Sequence, residues 1–170
     1  MDLRSFIRDV PDFPKPGIIF KDITPLLKST EAFQRTIDSL AEPFRGNRVT
    51  AVAGIESRGF IFGAAVARAL GAGFIPIRKP GKLPWTTRRH EYVLEYGSDA
   101  LEIHDDAVAP GDRVLIIDDV LATGGTAVAA TQLIRGFGSQ LVGLATVIEL
   151  TFLDPRTKLQ GLEVHTLIQY

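Results

Sequence analysis

Three aliphatic runs constrain this chain more than anything else in it: VTAVAG (49–54), RVLIIDD (113–119) and LVGLATVIEL (141–150). Strands apolar on both faces must be covered on both faces, which is the situation of a parallel sheet packed between helices. The segments between the runs fit that demand. RGFIFGAAVARALG (58–71) reads as a helix closed by a glycine, and GTAVAATQLIRGFG (125–138) as a second. Ser29 or Thr30 can cap a third, running to about Phe44 with Glu31 in its first turn. GIIF (17–20), GFIPI (73–77) and EVHTLIQ (163–169) read as further strands, and residues 2–9 as a short helix with Leu3, Phe6 and Ile7 on its apolar side. EYVLEY (91–96) and ALEIH (100–104), separated by the turn-like GSD, read as a hairpin. The expectation is one α/β domain over residues 1–170, with a central, mainly parallel sheet flanked by helices.

Charge and composition remove several functions. The formal net charge is -1, without the basic excess of a nucleic-acid binder. There are no cysteines, hence no disulfide and no thiolate metal site, which fits a reducing, cytoplasmic compartment. No apolar run is long enough to span a membrane. The opening MDLRSFIRDVPDF, with Asp2 and Asp9, does not read as a secretory signal. His90, His104 and His165 are isolated in sequence and read as structural or surface residues.

In sheets of this kind ligands sit at the carboxyl ends of the strands. Two such ends carry chemistry: AGIESRG after the first run and DDVLATGGT after the second. Asp118 and Asp119 are expected where their strand stops, placed to accept hydrogen bonds from vicinal hydroxyls or to approach a divalent cation. Ala122 to Thr126 then open a helix. Gly124 and Gly125 let backbone N–H groups close on a ligand, Thr123 and Thr126 add hydroxyls, and the helix N-terminus adds positive potential. Diol binding beside phosphate binding describes a ribose 5-phosphate. No lysine follows the glycines, so this is not the loop of a nucleoside triphosphatase, and the dinucleotide-binding glycine pattern is absent too. Arg58 falls in the first turn of a helix, where a cation is mildly unfavourable, and so favours an anionic partner.

VLIIDDVLATGGT resembles the phosphoribosyl pyrophosphate (PRPP) motif of the type I phosphoribosyltransferases. FPKPGIIFKDITPLL (13–27), AGIESRGFIFG (53–63), IRKPGKLP (77–84), LEYGSDALEIH (94–104) and LIQY extend the resemblance over nearly the whole chain and narrow it to the adenine-using branch. The resemblance implies the family fold, with a small N-terminal hood (about residues 1–30) contributing to the base pocket and a flexible β-hairpin loop. It implies transfer of the phosphoribosyl group from PRPP to adenine, with Mg2+ arriving mainly on PRPP and touching Asp118 and Asp119.

The remaining residue roles follow from the same resemblance. Asp118 and Asp119 hold the ribose hydroxyls, and Ala122, Thr123, Gly124, Gly125 and Thr126 the 5′-phosphate. Glu56, Ser57 and Arg58, with a cis peptide at Glu56–Ser57, meet pyrophosphate together with Arg78, Lys79 and Lys82. On residue types alone that basic turn is a solvated loop. The ring of Phe20 stacks on adenine while the backbone of Ile19 to Lys21 reads its edge; without the resemblance Phe20 is an ordinary core aromatic. Glu95, otherwise a strand residue on a wet hairpin face, matches the catalytic glutamate that handles the purine proton. WTTRRHEYV (85–93) is more basic than the family pattern and carries the only tryptophan. A homodimer is implied, because relatives use the basic turn across an interface. Two alternatives share the PRPP motif: a PRPP-binding transcriptional regulator, disfavoured by the balanced charge and by Glu95, and a transferase for another base.

Overall fold

The computed structural model describes residues 1–93 and 98–170. A 3-10 turn at Leu3–Phe6, capped by Asp2, leads into strand β1 (Arg8–Pro11), which pairs antiparallel with β2 (Ile19–Asp22) in register Val10↔Phe20. The helix expected over 2–9 is therefore only that turn. Residues from Arg8 onward satisfy their backbone by pairing with β2, a partner no local pattern reveals. Asp22, just before the short helix α1 (Thr24–Lys28), accepts from Thr24 N and Oγ1 at 2.9 and 2.8 Å. Helix α2 (Thr30–Ala41) starts at Ser29, whose hydroxyl accepts from Ala32 N, and relaxes into a 3-10 turn at Glu42–Asn47.

The central sheet is built from β3 (Ala51–Ile55), helix α3 (Gly59–Leu70), β4 (Gly73–Ile77), β7 (Arg113–Leu121), helix α4 (Gly125–Arg135), β8 (Gln140–Glu149) and β9 (Val164–Gln169). Between β4 and β7 the chain leaves the sheet as a hairpin, β5 (Thr87–Val93) and β6 (Ser98–His104). The sheet runs β4-β3-β7-β8-β9 and every pairing in it is parallel. The two-faced character of the aliphatic runs is literal. Val114 and Ile116 enter one apolar cluster with Ala130 and Ile134 of α4, while Leu115 and Ile117 enter the other with Leu40 of α2 and Phe62 of α3.

Several boundaries move, β2 among them, at Ile19–Asp22 rather than 17–20. The hairpin strand starts at Thr87 rather than Glu91, so Arg88 and Arg89, both exposed, lie within it on opposite faces. Helix α4 stops at Arg135. Strand β7 does not stop at the aspartates. It continues to Leu121 because Asp118, Val120 and Leu121 pair with Thr146, Ile148 and Glu149 of β8. The chain order reverses between β3 and β7, and a crevice opens there at the carboxyl ends of the strands. Among the described residues no helix is long and apolar enough to cross a membrane.

Candidate active site

That crevice holds a cavity of about 450 Å³. One wall is the β1–β2 ribbon, through Ile18, Ile19, Phe20 and Lys21. Glu56, Ser57 and Arg58 form the wall above β3, and Asp118, Asp119 and Val120 form the floor on β7. A smaller cavity of about 70 Å³ continues from Asp118 past Ala122, Thr123, Gly124 and Thr126 at the start of α4. The two strand ends singled out in the sequence thus face one space.

Asp119 is 5% exposed, and its Oδ2 lies 2.9 Å from Arg58 Nε. The Arg58 N–H does not align on that oxygen, so buried Oδ2 accepts no hydrogen bond from the described residues. Asp118 Oδ1 accepts from Asp119 N at 2.8 Å. Burial pushes the Asp118 carboxyl well above its ordinary range, and the neighbouring Asp119 charge adds to the rise. Burial raises Asp119 too, against the opposing pull of Arg58. The same guanidinium sits 4.9 Å from the ring centroid of Phe20, tying the acid pair to the ribbon. Gly59 lets α3 approach this closely: a Cβ there would stand 2.9 Å from Asp118 Oδ1 and 3.0 Å from Ile117 O.

The peptide Glu56–Ser57 is cis. The Glu56 carboxylate points to the basic turn, accepting from Lys79 N at 2.7 Å and Arg78 Nε at 3.3 Å. Burial alone would raise its pKa, but the Lys79 and Arg78 hydrogen bonds outweigh that and lower it. Arg78 is thereby engaged inside the protein and also donates to Lys82 O at 3.1 Å. Of the three basic residues, Lys79 lines the cavity; Arg78 and Lys82 do not. The Lys79 ammonium is shared with Asp99 and with the Tyr92 hydroxyl at 3.4 Å, and that hydroxyl meets Thr126 Oγ1 at 3.4 Å. Burial would lower Lys79, but these partners hold it raised. The hairpin thus reaches the first turn of α4.

Gly124 takes φ +84°, and a Cβ on it would lie 2.9 Å from Pro155 O. Lys158 Nζ donates to Thr123 O at 2.8 Å. The glycine loop is therefore backed by the 3-10 turn Pro155–Leu159. Lys21 lines the cavity, and its ammonium bonds Asp9 at 2.7 Å. Glu95 lies outside the described residues. Ile18, Leu101, Val120 and Leu150 also line the cavity and were not legible in advance, since an apolar lining residue has no signature apart from core.

The sequence model of the phosphoribosyl transferase domain matches residues 24–162. The adenine phosphoribosyltransferase of Anaeromyxobacter dehalogenans is 57% identical over 168 residues, covering 99% of this chain and 98% of that one. The chain belongs to the adenine phosphoribosyltransferase family. The family member of Thermotoga maritima is 54% identical over 170 residues, covering 100% of this chain and 98% of its own. The solved structure of the Rhodothermus marinus adenine phosphoribosyltransferase superposes with a TM-score of 0.95 at 54% identity, covering 99% of this chain and 96% of that one. The Saccharomyces cerevisiae member, solved with an imino-altritol bisphosphate and adenine, superposes with a TM-score of 0.91 at 41% identity, covering 97% and 96%.

The family's metal can be tested against the donor set. Among the described residues, no group of three or more His, Cys, Asp and Glu is placed to hold a metal ion. Two carboxylates, one with an oxygen free of hydrogen bonds, would suit a Mg2+ ion that brought its other ligands with the substrate.

Proposed function

We propose that this protein transfers the 5-phosphoribosyl group of PRPP to adenine, giving AMP and pyrophosphate in purine salvage. The observation that carries the reading is the buried Asp119 oxygen without a hydrogen bond, beside Asp118 and next to the glycine loop of α4. A ribose hydroxyl supplies the missing donor, and the 5′-phosphate then falls on the N–H groups of Gly124 to Thr126.

The C1–O bond to pyrophosphate breaks as adenine N9 bonds to C1, and charge collects on the departing anion. Arg58 and Lys79 face that charge, with Ser57 and the neighbouring backbone. Arg78 acts through Glu56, which it holds against the basic turn. Phe20 gives the purine a stacking face, and Ile18, Val120 and Leu150 exclude water from the base. Glu95 takes the proton role, holding or removing the purine proton as N9 attacks. Asp118 and Asp119 would hold the Mg2+ that arrives with PRPP, which would supply charge neutralisation to the diphosphate.

The activity resides in a single domain over residues 1–170, with about the first 30 as the hood. It works in the cytoplasm as a homodimer; exposed Ile61 on α3 and Phe74 on β4 offer an apolar surface for the second copy.

AMP-type product formation from PRPP and Mg2+, with adenine, hypoxanthine, guanine, xanthine and orotate offered separately, tests the reading. Turnover with adenine alone is expected. Turnover with a different base overturns the base assignment, and tight PRPP binding without turnover turns the protein into a PRPP-responsive regulator. The loop gives a second test. Gly124→Ala places a side chain at φ +84° against a backbone oxygen. The left-handed backbone alone costs about 1–2 kcal/mol. The PRPP KM should rise about tenfold, corresponding to about 1.4 kcal/mol, while the adenine KM stays within experimental error. An unchanged PRPP KM would remove this loop from phosphate binding.

A further inference from the structure

Tyr170 lines no part of the cavity, yet contacts from both sides of the base region converge on it. The Lys21 ammonium lies 3.8 Å from its ring centroid, and the Arg4 guanidinium 4.6 Å. Its N–H donates to Glu149 O at 3.0 Å, and its carbonyl accepts from Thr151 N at 2.9 Å and Thr151 Oγ1 at 2.6 Å. Lys21 is the residue after Phe20 on β2. Leu150 lies between Glu149 and Thr151. One residue therefore grips the chain next to Phe20 and on both sides of Leu150.

The ribbon has particular need of such a grip. It has four residues in each strand and is separate from the central sheet. An isolated two-stranded ribbon is marginal in water, so its position over the cavity is set by contacts from outside. Arg58 supplies one, under Phe20. The Tyr170 ring supplies another through Lys21, which also bonds Asp9 on the opposite strand at 2.7 Å. Holding Lys21 thus holds both strands.

We propose that Tyr170 is a positioning residue for the base: its ring fixes Phe20 through Lys21, its backbone fixes Leu150, and it sets adenine affinity without touching adenine. The proposal rests on the transferase reading above. The cation contacts of the Tyr170 ring go to Lys21 on β2 and to Arg4, whereas the phosphate and acid-pair contacts lie on β7 and α4, so the ring variants are expected to leave PRPP binding alone.

The test compares Tyr170→Ala with Tyr170→Phe in steady-state assays where adenine and PRPP are varied separately. Loss of a partly buried cation–ring contact predicts an adenine KM about tenfold higher in Tyr170→Ala, with the PRPP KM and kcat within about twofold. Tyr170→Phe keeps the ring face that carries both cations and should match the parent protein. Should Tyr170→Ala fail to fold, Tyr170→Leu, which keeps apolar volume and the Tyr170 backbone bonds but not the ring face, should show the same adenine-only rise. A parallel rise of both KM values, a Phe variant as impaired as the Ala variant, or an unchanged adenine KM in a folded Ala or Leu variant overturns the proposal. Failure of the unsubstituted protein to make AMP overturns the transferase reading and this proposal with it; activity in that protein with any of the contrary variant results overturns the proposal alone.

Discussion

Asp118→Asn will melt at a higher temperature than the parent protein at neutral pH and will lose about 100-fold in kcat/KM for PRPP. The two effects share one cause. Asp119 is buried with Asp118 half-buried beside it, and desolvation followed by the Asp119 charge lifts the Asp118 carboxyl well above the ordinary carboxylate range. A carboxyl whose folded pKa is raised contributes stability in full below its unfolded value and loses that contribution as pH rises through the folded value. At pH 7 the pair is therefore a liability, and the amide removes it while still accepting the Asp119 N–H through its own oxygen. Hydrogen bonds to charged acceptors are worth about 1.5–3 kcal/mol, so surrendering the charge facing a ribose hydroxyl sets the activity loss at about two orders of magnitude. Urea midpoints of the two proteins between pH 4 and 8 should diverge as pH rises. A variant less stable than the parent at pH 7 would show that the buried charge is not the liability described.

The second large effect lies behind the glycine loop. Arg156→Met should destabilise the protein by about 3 kcal/mol, the lower end of the cost of breaking a buried pair. Glu149 is 2% exposed and receives a two-pronged bond from Arg156, at 2.7 and 2.8 Å, with Thr166 and Gln169 adding bonds at 2.9 and 3.0 Å. Those two surviving bonds and the partly exposed guanidinium keep the loss from being larger. The Arg156 hydrogen bond is the main reason the Glu149 carboxyl sits at about 2 rather than 4.5. Its stabilisation is complete above 4.5 and disappears as pH falls through about 2. Thermal unfolding should show a drop of about 6–12 °C at pH 7, and the gap between the two proteins should close on acidification below pH 4.5. A gap that holds constant to pH 2 would assign the loss to packing of the arginine stem.

The sheet was readable because its strands are buried on both faces, so VTAVAG and RVLIIDD could hardly be anything else. Ser29 announced α2 because a cap is a local event. The ribbon strand Arg8–Pro11 and the extension of β7 to Leu121 were not readable, since both depend on a partner distant in sequence. The site divides in the same way. Asp118, Asp119, Arg58 and the glycines carry charge or conformational freedom that a packed core rarely wants. Leu150, Val120 and Ile18 carry neither, and Lys158 and Tyr170 act on the site through one intervening residue. The engagement of Arg78 with Glu56 was hidden because charged residues in two separate motifs do not disclose whether they face a ligand or each other.

Strands β3 and β7 are hydrogen-bonded neighbours, with Gly54 opposite Ile117. On the proposed reading, Glu56, Ser57 and Arg58, facing the diphosphate, follow the first strand, with Lys79 after β4 on its far side, and Asp118 and Asp119, facing the sugar, lie on the second. The strands from which the two sets depart are held at the interstrand repeat of about 4.8 Å. The backbone works as a ruler: loops can exchange one base for another, while the span between leaving group and sugar hydroxyls stays fixed by the sheet itself.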